Sequence, residues 1–255
     1  MKNKITNKEL PLLVKSGQIL SSSLRSVILA IKPGMPTIGL EQIAELEIRR
    51  QGGRPSFKDY KQGSETPFPT ALCVSINNEV VHGAPKKGKV IREGDLVSLD
   101  LGCAYQGFYT DMAFTVAVGK ITKEDQRLLD VTKKSLQIGI DQVKAGHTTG
   151  DIGEAIEAFV FRHGFNVVRD LVGHGVGHHV HEEPSIPNFG KAGTGTVLEC
   201  GMGLAIEPMV NIGQSEIYVG KDGWTILTRD GRKSAHFEQT VVVAEKKPLL
   251  ITPFL

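Results

Sequence analysis

The residues best suited to chemistry in this chain are acids set inside apolar strands. In Asp95-Leu96-Val97-Ser98-Leu99-Asp100-Leu101 the alternation sends Val97, Leu99 and Leu101 to one face and Ser98 and Asp100 to the other. Beyond the Gly107 turn the same rule separates Met112, Phe114, Val116 and Val118 from Tyr109, Asp111 and Ala113, so a hairpin brings Asp100 and Asp111 side by side. That pair alone reads more readily as two solvated acids on an exposed sheet face. Glu207, in Ala205-Ile206-Glu207-Pro208-Met209, and Glu238, in Phe237-Glu238-Gln239-Thr240-Val241, shift the balance. An acid in the middle of an apolar strand is costly unless it is paired or bound to a metal. Four carboxylates that converge repel one another unless a cation joins them. A divalent metal is the simplest neutraliser, and an oxygen-rich set with a single imidazole suits Mn, Fe or Co better than a structural zinc.

Imidazoles come from Gly173-His174-Gly175-Val176-Gly177-His178-His179-Val180-His181, where the glycines around His174 allow close backbone approach. Such a tract is equally at home in a surface loop. His82, before the Gly83-Ala84-Pro85 turn, reads more readily as a hydrogen-bonded structural residue. No GxSxG, HExxH or P-loop pattern offers another nucleophile or metal scheme.

The elements that must position these groups fall into two halves. Residues 31–53 align without gaps on residues 143–165, an offset of 112, with Lys32, Gly34, Thr37, Glu45, Arg50 and Gly52 meeting Lys144, Gly146, Thr149, Glu157, Arg162 and Gly164. Each copy reads as a helix, a glycine turn, a second helix and a closing glycine. Strand signals follow each pair, over Val90 to Val118 and then over Thr196 to Asn211 and Ala235 to Val243. Helices followed by strands in both halves predict α+β layers, with helices on one face of largely antiparallel sheet and the other face free for a site.

With 255 residues, 40% hydrophobic content and 30 basic against 28 acidic side chains, the chain is globular and long enough for a sizeable core. The near-cancelling, interspersed charges exclude the basic field of a dedicated nucleic-acid binder. Three scattered cysteines form no disulfide framework, which points to a reducing compartment. The charged start Met1 to Glu9 lacks an apolar signal core, and no later run is apolar enough to span a membrane. The expectation is a cytoplasmic, unanchored protein.

Taken together and in order, Cys73-x-Ser75-x-Asn77, His82-Gly83, Asp100 and Asp111 eleven apart, Gly173-His174-Gly175, His181-Glu182-Glu183-Pro184, Ile206-Glu207-Pro208-Met209 and Phe237-Glu238 resemble the methionine aminopeptidases. The resemblance covers about residues 10 to 245 and implies the α+β pita-bread fold, two pseudo-symmetric helix-plus-sheet halves at roughly 10–120 and 121–245 of one catalytic metallopeptidase domain spanning 1–255. It implies two divalent ions (Co, Mn or Fe(II)) held by Asp100, Asp111, His174, Glu207 and Glu238. Substrate-facing histidines at His82 and His181, and a methionine pocket at Phe68, Cys73 and Trp224, follow from the same resemblance. No long insertion separates His174, Glu207 and Glu238, and no Cys/His extension precedes the pattern, so the shorter, bacterial-style type I form fits best. Val180 departs from the aromatic residue many bacterial members carry, and His178 and His179 match no ligand position, while His236 shares a strand face with Glu238 and is expected near the metals but outside the ligand set. The implied reaction is removal of an initiator methionine from nascent chains whose second residue is small. A water-derived nucleophile held between the ions attacks the first peptide bond, with Glu207 relaying protons. A monomer in transient contact with the ribosome is the accompanying expectation.

Overall fold

The computed structural model describes residues 4–61 and 67–253, so Met1, Lys2 and Asn3 of the charged N-terminal stretch lie outside it. Two helix pairs back the sheets: α1 (Leu10–Ala30) with α2 (Thr37–Arg50), and α3 (Lys123–Asp141) with α4 (Thr149–Arg162). The bounds of α2 and α4 coincide residue for residue at the 112-residue offset. Leu40, Ala44 and Ile48 are buried on α2 where Ile152, Ile156 and Val160 are buried on α4. The turns before these helices bend at Gly34 and Gly146 (φ +86° and +88°), and the chain leaves them at Gly52 and Gly164 (φ +82° and +81°). Only glycine takes such left-handed conformations without a steric penalty.

A buried acid in the first half has no acidic counterpart in the second. Glu41 on α2 accepts hydrogen bonds from the backbone N–H groups of Ala71 and Leu72, both at 2.8 Å, and so anchors the start of the strand that carries Cys73. Its counterpart on α4 is Gly153, where an added Cβ would lie 2.2 Å from the Phe189 carbonyl oxygen.

In the first half the long strand Leu96–Tyr105 pairs antiparallel with Phe108–Ala117, with Leu72–Ile76 and, near its end, with Arg54–Pro55. In the second, five antiparallel strands run in the order Leu249–Leu250, Gln239–Val242, Gly203–Ile206, Gly173–Gly175, Glu182–Ile186. Two small three-stranded sheets complete the strand layer. One joins Ser234–His236, Met209–Asn211 and Asn166–Val167; the other joins Ile217–Val219, Ile226–Thr228 and Glu79–Val81.

Each half has its own core. Val97, Leu99, Leu101 and Met112 pack with Leu20, Leu24, Leu40 and Ile48. Leu204, Ile206, Val210 and Val241 pack with Leu128, Leu136, Ile152 and Ile156. Each such side chain contributes about 1.5–3 kcal/mol by leaving water. Phe114 packs against both cores and meets the Phe237 ring edge-on at 4.9 Å, so the two are continuous across the middle.

Strand pairing is shorter than the sequence runs suggest. Apart from isolated bridges at Val90, Val197 and Met202, it begins at Leu96 and Gly203. The last two runs break at Glu207–Pro208 and at Phe237–Glu238. Pro208 has no N–H to give to a ladder, and the N–H of Glu238 turns instead to the carbonyl of Ala113 in the first half, at 2.9 Å. These breaks free two acids from their own sheet.

Candidate active site

The two half-sheets meet along Phe108–Ala117. The Asp111 N–H donates to the Thr240 hydroxyl (2.9 Å), which donates in turn to the Asp111 carbonyl (2.8 Å). Thr115 repeats the pattern with His236: its hydroxyl accepts from the His236 N–H (2.9 Å) and donates to the His236 carbonyl (2.7 Å). This lacing fixes the backbones that carry Asp111, His236 and Glu238.

Asp100 and Asp111 project from neighbouring strands in diagonal register, with Asp100 opposite Ala113 and Gly102 opposite Asp111. In the second half Ile206 lies opposite Gln239, which sets Glu207 beside Glu238 at the end of that ladder. Among the described residues, three sets of potential ligand atoms lie within 4.8 Å of one another: Asp100 with Asp111 and Glu238, His174 with Glu207 and Glu238, and Asp111 with His174 and His181. All five residues named from the resemblance as ligands therefore converge. They line a cavity of about 570 Å³ together with His82, His181, Phe68, Cys73 and Trp224, so every candidate site residue from the sequence reaches one space.

The acids are not solvated. Asp111 and Glu238 are 3% and 2% exposed, and Asp100 is also buried. Burial raises the Asp100 carboxyl to about 6 and that of Glu207 to about 7. Asp111 and Glu238 are held well above the ordinary carboxylate range, by burial first and then by repulsion from the other acids. One oxygen of Asp100 and one of Glu238 have no hydrogen-bond partner among the described residues. Buried carboxylate oxygens without partners, crowded so that they resist ionisation, fit a divalent cation and have no other evident source of charge compensation.

The imidazole of His174 supports the same fit. Its Nδ1 lies 2.9 Å from the Gly175 carbonyl, an acceptor only, so Nδ1 carries the proton. In the neutral ring Nε2 then presents a lone pair toward Glu207 Oε1 at 3.5 Å and Glu238 Oε1 at 4.0 Å. Lone pairs on all sides call for a cation between them.

Two histidines stand on the rim. His82 has φ +58°, a region uncommon for non-glycine residues, and Gly83 after it is held by the Ser75 hydroxyl and the Val74 N–H. His181 lies with its ring 4.3 Å from that of His174, and its Nδ1 is 2.7 Å from the Tyr60 hydroxyl. Burial keeps both neutral, with pKa values of about 4 for His82 and about 3 for His181, where the neighbouring His174 adds to the effect.

An apolar end to the cavity is formed by Phe57, Phe68 and Cys73, with Trp224 edge-on to Phe68 at 5.3 Å; Val180 belongs to the same apolar cluster. Sequence reasoning missed Phe57 and Tyr60, whereas His236 lies near the candidate ligands as its shared strand face with Glu238 led one to expect. Phe57 and Tyr60 sit in an irregular segment without periodicity, so no local pattern announced them. His178 and His179 lie outside the cavity lining; His178 Nε2 is 3.4 Å from Glu9 Oε1 and His179 is exposed.

The sequence profile described as metallopeptidase family M24 matches residues 12–245. The chain belongs to metallopeptidase family M24. Within it the chain falls among the methionine aminopeptidases. That of Aquifex aeolicus is 44% identical over 97% of either chain. The solved methionine aminopeptidase of Thermotoga maritima superposes with a TM-score of 0.94 at 42% identity, covering 98% of this chain and 99% of its own. Prolidase from Pyrococcus furiosus, at 21% identity and a TM-score of 0.78, shares the fold over 99% of this chain and 66% of its own. The α+β pita-bread fold expected from the sequence is the fold found, and a family M24 enzyme uses divalent metal ions.

Proposed function

We propose that the chain removes the initiator methionine from nascent proteins whose second residue is small, by metal-dependent hydrolysis of the first peptide bond. The observation that carries this reading is the crowding of four buried carboxylates and the His174 lone pair at one end of an apolar cavity. Asp100, Asp111, His174, Glu207 and Glu238 would hold two divalent ions, with Co, Mn or Fe(II) suited to so many oxygen donors. When bound, the ions supply the positive charge that keeps the carboxylates ionised and the polarisation that makes water nucleophilic near neutral pH.

The chain's own residues then do the following. Glu207, whose carboxyl burial raises to about 7, takes a proton from the attacking water and returns it to the leaving amine. The Tyr60 hydroxyl donates to His181 Nδ1, which leaves Nε2–H as the donor facing the cavity, directed at the carbonyl oxygen as it gains negative charge. His82, neutral and set by its unusual backbone, contacts the leaving nitrogen. Phe68, Cys73 and Trp224, with Phe57, enclose the methionine side chain, whose thioether packs favourably against aromatic edges.

The unit that acts is the whole of 1–255, with pseudo-repeats at roughly 10–120 and 121–245. It works in the cytoplasm as a monomer that meets nascent chains in transient contact with the ribosome. No helix among the described residues is long and apolar enough to cross a membrane, in keeping with that location. The test pairs elemental analysis of protein purified without added metal with assays on Met-Ala, Met-Ser, Met-Lys and Xaa-Pro peptides. Metal-dependent cleavage of Met-Ala and Met-Ser far above Met-Lys is expected. Full activity without metal, or a preference for Xaa-Pro, overturns the reading.

A further inference from the structure

His236 is 1% exposed, and neither of its ring nitrogens has a hydrogen-bond partner among the described residues. A buried imidazole left in that state is destabilising, because its N–H has given up water for nothing. Its backbone is fixed on both sides by the Thr115 hydroxyl, which Ser98 Oγ meets in turn at 2.8 Å, so the ring is held where it is by the seam between the two halves. The polar atom it approaches is Glu207 Oε2, 3.4 Å from His236 Nε2, just short of hydrogen-bond geometry. The other oxygen of that carboxylate, Oε1, faces His174 Nε2.

We propose that His236 is a positioning residue for the metal centre: its Nε2–H donates to Glu207 Oε2 and turns Oε1 toward the cation shared with His174. The inference rests on the metal-centre reading of Glu207. The donor exists in the neutral Nε2–H tautomer and in the charged ring alike, so the contact does not depend on a particular charge. A ligand carboxylate with a hydrogen bond on its outer oxygen is held in orientation and loses less freedom when the metal arrives. Closing the remaining few tenths of an ångström requires only a small rotation of the Glu207 carboxylate, since the His236 backbone is fixed. Without that contact the buried imidazole has no hydrogen bond; with it, Nε2–H is satisfied.

The test compares His236→Gln, which keeps an N–H donor at similar reach, with His236→Met, which fills similar space without one. Mn(II) affinity of metal-stripped protein is measured by calorimetry, alongside thermal unfolding in chelator. His236→Gln is expected to bind Mn(II) within about threefold of wild type, and His236→Met about 10- to 100-fold more weakly. In chelator His236→Met is expected to be at least as stable as wild type, since an unsatisfied buried polar group has been removed. If the Met variant does not fold, His236→Asn takes its place: its amide is one methylene too short to reach Glu207, so affinity falls as for Met. Wild-type affinity in the Met or Asn variant, or a Gln variant as weak as they are, overturns the assignment. So does a Met variant destabilised equally with and without metal. Failure of the wild-type protein itself to bind Mn(II) refutes the metal-centre reading instead, and the two failures are thereby distinguished.

Discussion

Stripping divalent metal from this protein should cost it more stability, relative to the metal-loaded form, the further pH rises through neutrality. The cause is the carboxylate cluster. An acid whose folded pKa is raised binds a proton more tightly folded than unfolded, so its stabilising contribution is complete below its unfolded pKa and is lost as pH rises through the folded one. Glu207 moves from 4.5 to about 7, and Asp100 from 3.8 to about 6. The buried histidines act in the opposite sense. His82, His181 and His236, with folded pKa values of about 4, 3 and 4, lose stability as pH drops below 6.5 and partly mask the acids there. Their unfolded pKa is 6.5, so together they still add about 1 kcal/mol as pH rises from 6.5 to about 8.5, but the loaded and metal-free forms share them, and the difference between the two forms over that window belongs to the carboxylates.

Across that window Glu207 alone gives up about 1 kcal/mol. Asp111 and Glu238 each add up to about 1.4 kcal/mol per pH unit over the range in which they keep a proton. The sum lies between about 1 and about 6 kcal/mol, and the group titrates as a unit rather than residue by residue. At roughly 2–4 °C per kcal/mol for a chain of this size, the melting temperature in chelator should fall behind that in metal by at least about 2–4 °C more at the upper end of the window than at the lower. The assay is thermal unfolding at matched ionic strength, in chelator and at fixed free Mn(II). Subtracting the two curves cancels Glu41 and the surface acids, which both forms share. Metal binding becomes tighter as protons leave, so the gap between the curves should widen with pH. A gap that stays constant or narrows refutes the claim that these carboxylates are packed too closely to ionise without a cation.

His174→Ala and His181→Ala should fail differently. The first should bind metal weakly and regain part of its activity in excess metal, whereas the second should keep its metal and lose about 10²–10³ in kcat, the usual cost of an oxyanion donor; metal content and kcat on both variants separate the roles. Tyr60→Phe removes the hydroxyl 2.7 Å from His181 Nδ1 and should lower kcat about tenfold, matching about 1–1.5 kcal/mol for a lost hydrogen bond, with a smaller change in KM; an unchanged kcat would show that packing alone orients the ring. Asp151→Ala breaks the capping box that Thr148 and Asp151 form at the start of α4 and should cost about 1 kcal/mol, read as a melting temperature lowered by about 2–4 °C with kcat unaltered.

What could be read from the sequence was what local pattern controls. Alternation put Val97, Leu99 and Leu101 on the core face and Asp100 opposite, and the burial of those side chains agrees. The glycines at positions 34, 52, 146 and 164 marked their turns because left-handed backbone leaves a compositional trace. The burial of the acids was inferred only indirectly, from the cost of an acid in an apolar strand. What stayed hidden depends on contacts between distant segments. Nothing near Tyr60 in sequence reports that its hydroxyl reaches His181, 121 residues away. Nor does the run around Glu41 announce that its carboxylate ties down Ala71 and Leu72, since on the helix it reads as one more polar residue. Strand breaks at Glu207 and Glu238 were missed for a related reason. Apolar content signals burial, but where the ladder stops is decided by a missing proline N–H and by a partner in the other half.

The site combines a paired frame with unpaired additions, and the proposed reaction needs both. Each half supplies two carboxylates from neighbouring strands, Asp100 with Asp111 and Glu207 with Glu238, and the Thr240 and Thr115 bridges draw the two sets together across the seam. A balanced arrangement of this kind can concentrate positive charge midway between the halves. Hydrolysis of a peptide bond has a direction, however: a carbonyl oxygen gains charge on one side while an amine leaves on the other. A site equivalent from both sides gives no reason to prefer one orientation. The histidines are where the equivalence ends. His174 and His181 come from a glycine-rich strand and loop of the second half, and His82 from the end of the strand Glu79–Val81, which pairs with Ile226–Thr228. Phe57, Phe68 and Cys73 of the first half close one end of the cavity, with Trp224 reaching over from the second. The paired acids thus account for the charge the centre can hold, while the unpaired imidazoles and the one apolar end determine which way a peptide N-terminus can lie against it.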